Sequence, residues 1–290
     1  MDYFQFKTKE LRDLAWVIRS PFMIFDEQLS LEDGFCEHEF NNMLPLLQKL
    51  DQNPSDLFSH LGELRSPYLG HYYEKLVQFW LMHSEDIELV ANNIQLVENG
   101  NTLGEIDFIV KRNNRYEHWE VAVKFYLGYE HEIWIGPNPV DRLDLKLNRM
   151  FSHQLKMTET EAGKRLLQKL GIDELDRKCL VKGYLYYPLN KEFAAPQVSS
   201  VFHARSWWTY HKSLNYPMKD LFLARKEKRD WLSPSIFKEE DLIRQEQLIQ
   251  KLSSRKNRKP QLFAFLKKEG AHYYEEFSSF ISLDNWPDKI

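Results

Sequence analysis

The sequence predicts an α/β fold, because helical and strand-like hydrophobic patterns alternate along its central part. Residues 67–81 place apolar side chains at helical spacing. Residues 104–110 and 119–124 instead alternate between apolar and polar side chains, as half-buried strands do. A strand-like stretch over 87–97 precedes this pair, and another over 179–187 follows a second helical stretch. The predicted order is therefore helix, three strands, helix, strand.

The two central strands predict a hairpin whose faces differ in chemistry. The polar segment Arg112-Asn113-Asn114-Arg115 is typical of a hairpin turn, and a turn centred on its two asparagines places Asp107 opposite Glu120. One face collects apolar side chains: Ile106, Phe108, Val110, Trp119, Val121 and Val123. The other face carries Glu105, Asp107, His118, Glu120, Ala122 and Lys124. Opposed carboxylates about 5 Å apart repel each other, and a divalent cation would turn that repulsion into ligation.

The acidic face has two interpretations. Half-exposed hairpins often carry acids on their solvent side, and a neighbouring lysine offsets the charge. Alternatively, two acids and Lys124 on one face provide what metal-assisted phosphodiester hydrolysis requires: a site for a cation that activates water and phosphate, and a positive charge that stabilises the transition state.

The pattern Gly-Glu-x-Asp-Phe, a hairpin, then Glu-x-x-x-Lys resembles the PD-(D/E)XK superfamily of restriction-endonuclease-like nucleases. The resemblance covers about residues 68–188 and implies an αβββαβ core with a mixed central sheet. It further implies that Asp107, Glu120 and Lys124 are catalytic, and that Asp107, Glu120 and Glu74 bind Mg²⁺, for which Mn²⁺ would substitute. The usual spacing is Glu-x-Lys, whereas here Ala122 occupies that lysine position. The wider chain also resembles an uncharacterised bacterial family assigned to this superfamily.

A helix is predicted after the segment Gly-Pro-Asn-Pro at 136–139, where proline favours the first helical turn. Its basic side chains fall on one stripe, which comprises Arg142, Lys146, Arg149 and His153. The resemblance adds Gln154, because related exonucleases carry a Gln on the equivalent helix. We predict that these five residues bind a nucleic-acid backbone, with DNA expected in preference to RNA. The alternative is a solvated helix face.

Around the core we predict two extensions. Residues 1–66 have amphipathic helical patterns and are expected to form a helical cap. Residues 67–190 would form the core, and residues 191–290 an aromatic-rich, helical extension packed on it. The fold class is thus α/β with helical extensions at both ends.

Composition limits the classes of function. The 290-residue chain contains two cysteines, too few for a disulfide framework. No apolar run is long enough to span a bilayer and the amino terminus lacks a signal-peptide pattern, so we expect a cytoplasmic protein without a membrane partner. A formal net charge of −4 argues against bulk attraction to nucleic acid but allows a local basic groove. The oligomeric state is left open.

Two functional hypotheses follow. The first is a magnesium-dependent nuclease that hydrolyses phosphodiester bonds of DNA or RNA. The second is a catalytically inactive module of the same fold that binds nucleic acid or a protein partner. A glycosidase, which also uses paired carboxylates, has no special need for a lysine on the same face.

Overall fold

The computed structural model describes residues 3–62, 68–130, 133–189, 191–214, 222–244, 247–248, 252, 259–284 and 286–287. These residues form one mixed sheet of eleven strands, with six α-helices around it. The predicted α/β class is therefore confirmed. None of the described helices combines the length and the apolar character needed to cross a bilayer.

The amino-terminal residues form the helices α1 (Lys9–Arg19), α2 (Phe35–Gln52) and α3 (Ser55–Leu61). Helix α1 begins after Thr8, whose hydroxyl accepts a hydrogen bond from the Leu11 amide at 3.4 Å, as amino-terminal caps do. The helix predicted over 67–81 is α4 (Leu69–His83), and residue 67 lies outside the described residues. Together these helices bury one face of the sheet, because their apolar stripes contact Phe108, Trp119 and Leu180 in a single hydrophobic cluster.

The central elements follow the predicted order, with two further strands and two further short helices. Its strands are β1 (Ile87–Glu98), β2 (Asn101–Arg112), β3 (Arg115–Gly128), β4 (Trp134–Ile135), β5 (Asp176–Pro188) and β6 (Ala204–Tyr210). Strands β1 to β3 are antiparallel, whereas β5 runs parallel to both β3 and β6. Between β4 and β5 lie α5 (Leu143–Ser152), a 3-10 helix over Gln154–Glu159, and α6 (Glu161–Leu170). The parallel pairing places the α5 segment on the second face of the sheet.

The hairpin turn is the predicted one. Asn113 and Asn114 both have positive φ, at 50° and 60°, which suits the right-handed twist of the strands that they join. The β2–β3 register runs from Arg112–Arg115 to Phe108–Trp119, so that Asp107 and Glu120 follow directly beyond the last pair.

Both faces of the hairpin are largely covered, although Glu105 is exposed. On the acidic face His118 and Glu120 are fully buried, because the 3-10 helix packs there. Ile106, expected on the helix-covered face, instead joins a cluster with Ile109 and Met157.

The carboxy-terminal third extends the sheet. It contains β7 (Phe222–Arg225), β8 (Ile236–Phe237), β9 (Leu242–Ile243), β10 (Gln261–Glu269) and β11 (His272–Ser282). Strand β11 runs parallel to β6 and so connects this part to the core sheet. The described residues there are mainly strands, unlike the helical extension that we expected. α-Helical backbone is described only at 247–248 and 252, and three 3-10 helices have three residues each. The apolar run over 262–266 is buried on both sides of the sheet, which explains a strand without alternation.

Strand β5 lies close to β3 at Gly183, opposite Lys124. Gly183 has φ +129°, and an added Cβ would lie 1.7 Å from the Lys124 carbonyl oxygen. We expect Gly183→Ala to lower the free energy of unfolding by about 3 kcal/mol or more, because backbone strain and steric overlap add together. Guanidinium unfolding would measure the loss.

Gly171→Ala is the matched control for this substitution. Gly171 also has positive φ, at +69°, but no atom of the described residues lies within 4 Å of the added Cβ. Its expected loss is about 1 kcal/mol, from backbone strain alone. Equal losses in the two variants would show that the close approach of β5 to β3 does not constrain the sheet.

Candidate functional site

The hairpin and α4 bring several carboxylates together. Asp107 lies on β2, Glu120 on β3, and Glu74 on α4. The backbone amide of Val121 donates a hydrogen bond to Asp107 Oδ2 at 2.9 Å, so that this carboxylate joins the two strands where their regular pairing ends. The predicted convergence of Asp107 and Glu120 is therefore a consequence of the hairpin register.

The carboxylates of this acid cluster (Glu74, Asp107 and Glu120) affect one another electrostatically. Burial raises the pKa of Glu74, Asp107 and Glu120, in each case to about 7. The charge of Glu120 further raises the pKa of Asp107, and the charges of Asp107, Glu105 and Glu120 further raise that of Glu74. Full ionisation is therefore unfavourable unless a positive charge compensates it.

Two neutral side chains fix the Glu120 carboxylate. Its Oε1 lies 3.0 Å from His118 Nε2, and its Oε2 accepts a hydrogen bond from Gln154 Nε2 at 2.7 Å. Burial lowers the pKa of His118 to about 4, so the imidazole is neutral near pH 7. His118 Nδ1 is buried and has no hydrogen-bond partner among the described residues.

Lys146 is the cation that the fold brings to the acids. This residue of α5 is half-buried, and its Nζ donates a hydrogen bond to Gln154 Oε1 at 2.9 Å. Gln154 thus connects Lys146 to Glu120. Burial lowers the pKa of Lys146, and the Lys124 charge lowers it further, while the charges of Glu120 and Asp107 oppose this shift. The charge of Lys146 is therefore coupled through space to those of Glu120 and Asp107, and Gln154 provides the hydrogen-bonded link to Glu120.

Lys124 is engaged elsewhere. Its Nζ forms an ion pair with Asp141 Oδ2 at 2.8 Å, and the hydroxyl of Tyr126 donates to Asp141 Oδ1 at 3.1 Å. Asp141 lies in the loop before α5. The catalytic role of Lys124 stays a prediction. The lysine whose charge acts on Glu120 and Asp107 is Lys146.

The predicted basic stripe is divided by the end of α5. Arg142 precedes the helix and forms an ion pair with Asp144 at 2.6 Å. The helix ends at Ser152, where His153 adopts non-helical backbone angles, and Gln154 begins the following 3-10 helix. Arg149 and His153 are exposed, whereas Lys146 and Gln154 face the acid cluster. The nucleic-acid contacts of the stripe stay predictions.

One signal in the sequence could have indicated that Lys146 lies beside the acid cluster. It lies at the border of the buried stripe formed by Leu143, Leu147 and Met150, which packs α5 on the sheet. A lysine at such a border buries its aliphatic stem and directs its charge along the sheet surface. The alternation rule for strands could not reveal it, because Lys146 comes from a different element.

The donor set of the acid cluster suits a hard cation. Glu74, Asp107 and Glu120 offer carboxylate oxygens, the ligands that Mg²⁺ prefers. Their mutual repulsion is the feature that a divalent cation would relieve. Their ligand atoms are not all within 4.8 Å of one another; within the described ranges only those of His38, Glu39 and Asp86 are. Because Mg²⁺ commonly retains several waters, Glu74 would contribute through a water molecule.

The side chains of His38, Glu39 and Asp86 are hydrogen-bonded within the protein. Glu39 Oε2 accepts hydrogen bonds from Trp80 Nε1 at 2.9 Å and from Ser84 Oγ at 3.0 Å. Asp86 Oδ2 lies 2.8 Å from His38 Nε2. These bonds join α2 to the end of α4, which is a structural role.

Comparison with known proteins gives a family but no function. No curated protein matches the chain, and no solved structure matches it. The family model described as "Domain of unknown function (DUF1853)" matches residues 12–281, which is most of the chain. The chain therefore belongs to the DUF1853 family.

Proposed function

We propose that this protein is a metal-dependent nuclease with a PD-(D/E)XK-like centre. The observation that carries the proposal is the arrangement of Asp107 and Glu120 beside Lys146, with Gln154 bonded to both Glu120 and Lys146. Two acids and a cation held at one edge of a hairpin suit phosphodiester hydrolysis. The order helix, three antiparallel strands, helices and a parallel strand supports the same assignment.

In this proposal Asp107 and Glu120 hold the metal ion, and Glu74 assists through water. The metal supplies charge neutralisation at the phosphate and makes the attacking water more acidic. Lys146 places its ammonium group near the scissile phosphate and stabilises the negative charge that develops there. Gln154 and His118 orient the Glu120 carboxylate, because each bonds one of its two oxygens.

Cleavage of a panel of single- and double-stranded DNA and RNA, with Mg²⁺ or Mn²⁺, tests the proposal. Wild type is compared with Asp107→Asn purified identically. We expect metal-dependent cleavage by wild type and a loss of roughly a hundredfold or more in the variant, as for removal of a group that acts on the transition state. Cleavage that persists at the wild-type rate in Asp107→Asn would overturn the proposal.

One observation favours the second candidate, a catalytically inactive binding module. Both oxygens of Glu120 already accept hydrogen bonds, and Lys124 is paired with Asp141. In such a module these bonds would serve stability alone. The module would bind nucleic acid without cleaving any member of the panel, in either metal, and its affinity would be unchanged by Asp107→Asn.

A further inference from the structure

A basic cavity lies beside the candidate active site. It has a volume of about 300 Å³, at the lower end of the range for ligand pockets. Its walls come from the loop before α5, from the segment 225–231 after β7, and from the start of β10. Asp141, the partner of Lys124, forms part of one wall. Phe125 follows Lys124 on β3. Its ring contacts that of Trp231 in another wall of the cavity, with ring centroids 5.2 Å apart.

The charges on the cavity walls leave a positive excess. The walls carry four cations (Arg225, Lys226, Lys228 and Lys259) and two acids (Asp141 and Glu227). Glu227 pairs with Arg225, Asp141 pairs with Lys124, and Lys226 pairs with Glu275 at 2.7 Å. Lys228 and Lys259 are exposed and form no ion pair among the described residues. These two lysines are therefore available to an anion such as phosphate.

Two further wall residues offer contacts that suit a base. Trp231 is held by edge contacts with Phe125 and Phe280 and by the hydrogen bond from its Nε1 to the Lys226 carbonyl, so its ring is a fixed aromatic surface. Gln261 is only 8 % exposed, and neither its Nε2 nor its Oε1 has a hydrogen-bond partner in the part of the chain that the structure describes. A buried amide without partners costs about 1–3 kcal/mol, which a ligand with both donors and acceptors would recover.

We propose that this cavity binds one unstacked nucleotide of a single nucleic-acid strand whose scissile phosphate lies at the acid cluster, an inference that rests on the proposed function. Lys228 and Lys259 would contact the phosphate, Trp231 the face of the base, and Gln261 its edge. The charge of Lys146 acts on Glu120, Asp107 and Lys124, and Lys124 is paired with Asp141 of the cavity wall. These two lysines would guide a strand from one site to the other. A base within a duplex is stacked and paired, so it could not enter.

Binding of a fluorescein-labelled 15-nucleotide single-stranded DNA, measured by anisotropy in EDTA, tests this assignment without cleavage. We expect Lys228→Ala/Lys259→Ala to weaken binding roughly tenfold and to reduce the salt slope of log K by about 1.4, or 0.7 for each lost contact. Gln261→Leu should weaken binding several-fold without changing the salt slope. Lys49→Ala/Lys169→Ala is the control, since it removes two exposed lysines outside the cavity and should change affinity less than about twofold.

The outcomes separate this assignment from its alternatives. Wild-type affinity in the cavity variants, or an equal loss in the control, would overturn it. AMP binding that requires Lys228 and Lys259, while strand binding does not, would show that the ligand is a free nucleotide. If binding of a 15-base-pair duplex depended on both lysines as strongly as binding of the single strand does, the proposal of an unstacked nucleotide would be contradicted.

The nuclease proposal can fail separately from the cavity assignment. If strand binding requires the cavity but no protein cleaves, the cavity assignment stands and the nuclease proposal fails. If cleavage requires Asp107 while the cavity variants bind normally, the nuclease proposal stands and the cavity assignment fails.

Discussion

Lys146→Met should reduce metal-dependent cleavage by roughly a hundredfold or more, whereas Lys124→Met should reduce it by less than about tenfold. The expected difference follows from their partners. Lys146 interacts with the charges of Glu120 and Asp107 and is linked to Glu120 through Gln154. Lys124 is paired with Asp141. Removal of one group that stabilises transition-state charge costs about 10²–10³ in rate, and in the proposed mechanism Lys146 is that group.

Single-turnover cleavage rates of the two variants, at saturating Mg²⁺ and saturating protein, would measure this difference. Circular dichroism and thermal unfolding establish that both variants are folded. Lys146→Arg provides a further control because it keeps the charge, and it should recover part of the rate. If Lys124→Met loses the activity and Lys146→Met retains it, the assignment made from the strand pattern is right and the structural one is wrong.

Asp107→Asn should stabilise the protein without metal and abolish its stabilisation by metal. Burial and the Glu120 charge raise the pKa of Asp107 to about 7, so its ionised form is unfavourable in the folded protein. Asn removes the charge and keeps an oxygen to accept the hydrogen bond from the Val121 amide. Mg²⁺ at one hundred times its dissociation constant should stabilise wild type by about 2.7 kcal/mol, since the metal binds the folded state.

Thermal unfolding at pH 8 in EDTA, then across a Mg²⁺ titration, measures both effects. In EDTA the variant should unfold at or above the wild-type temperature, and only wild type should gain stability as Mg²⁺ is added. Asp33→Asn is the control, because Asp33 is exposed and lies outside the acid cluster, so its Mg²⁺ response should equal that of wild type. Equal responses of wild type and Asp107→Asn would show that this carboxylate does not hold the metal.

The local patterns predicted the elements that form the centre of the fold. Alternation over 104–124, with two asparagines suited to positive φ, specified the hairpin and the adjacency of Asp107 and Glu120. The apolar stripe of α4 indicated a helix that carries Glu74. These features depend on the spacing of neighbours along the chain, which is where sequence patterns are most informative.

The carboxy-terminal third shows where such patterns are insufficient. We expected helices there, but β10 pairs with β7 and β11, and β11 joins the core through β6. A short apolar run fits a buried strand and a buried helix equally well. The partner strands, which lie up to about 70 residues away, decide between them.

By itself the sequence determined the α/β class, the hairpin with its two carboxylates, and the helix that contributes Glu74. Tertiary structure alone decided which lysine meets those acids. Lys124 shares their strand face, yet the loop before α5 brings Asp141 to it. Lys146 is remote from them in sequence, yet α5 packs on the sheet and holds it beside them through Gln154. The physical reason is that a lysine side chain is long and flexible, so its position depends on the nearest carboxylates and amides in space rather than on its place in the strand pattern.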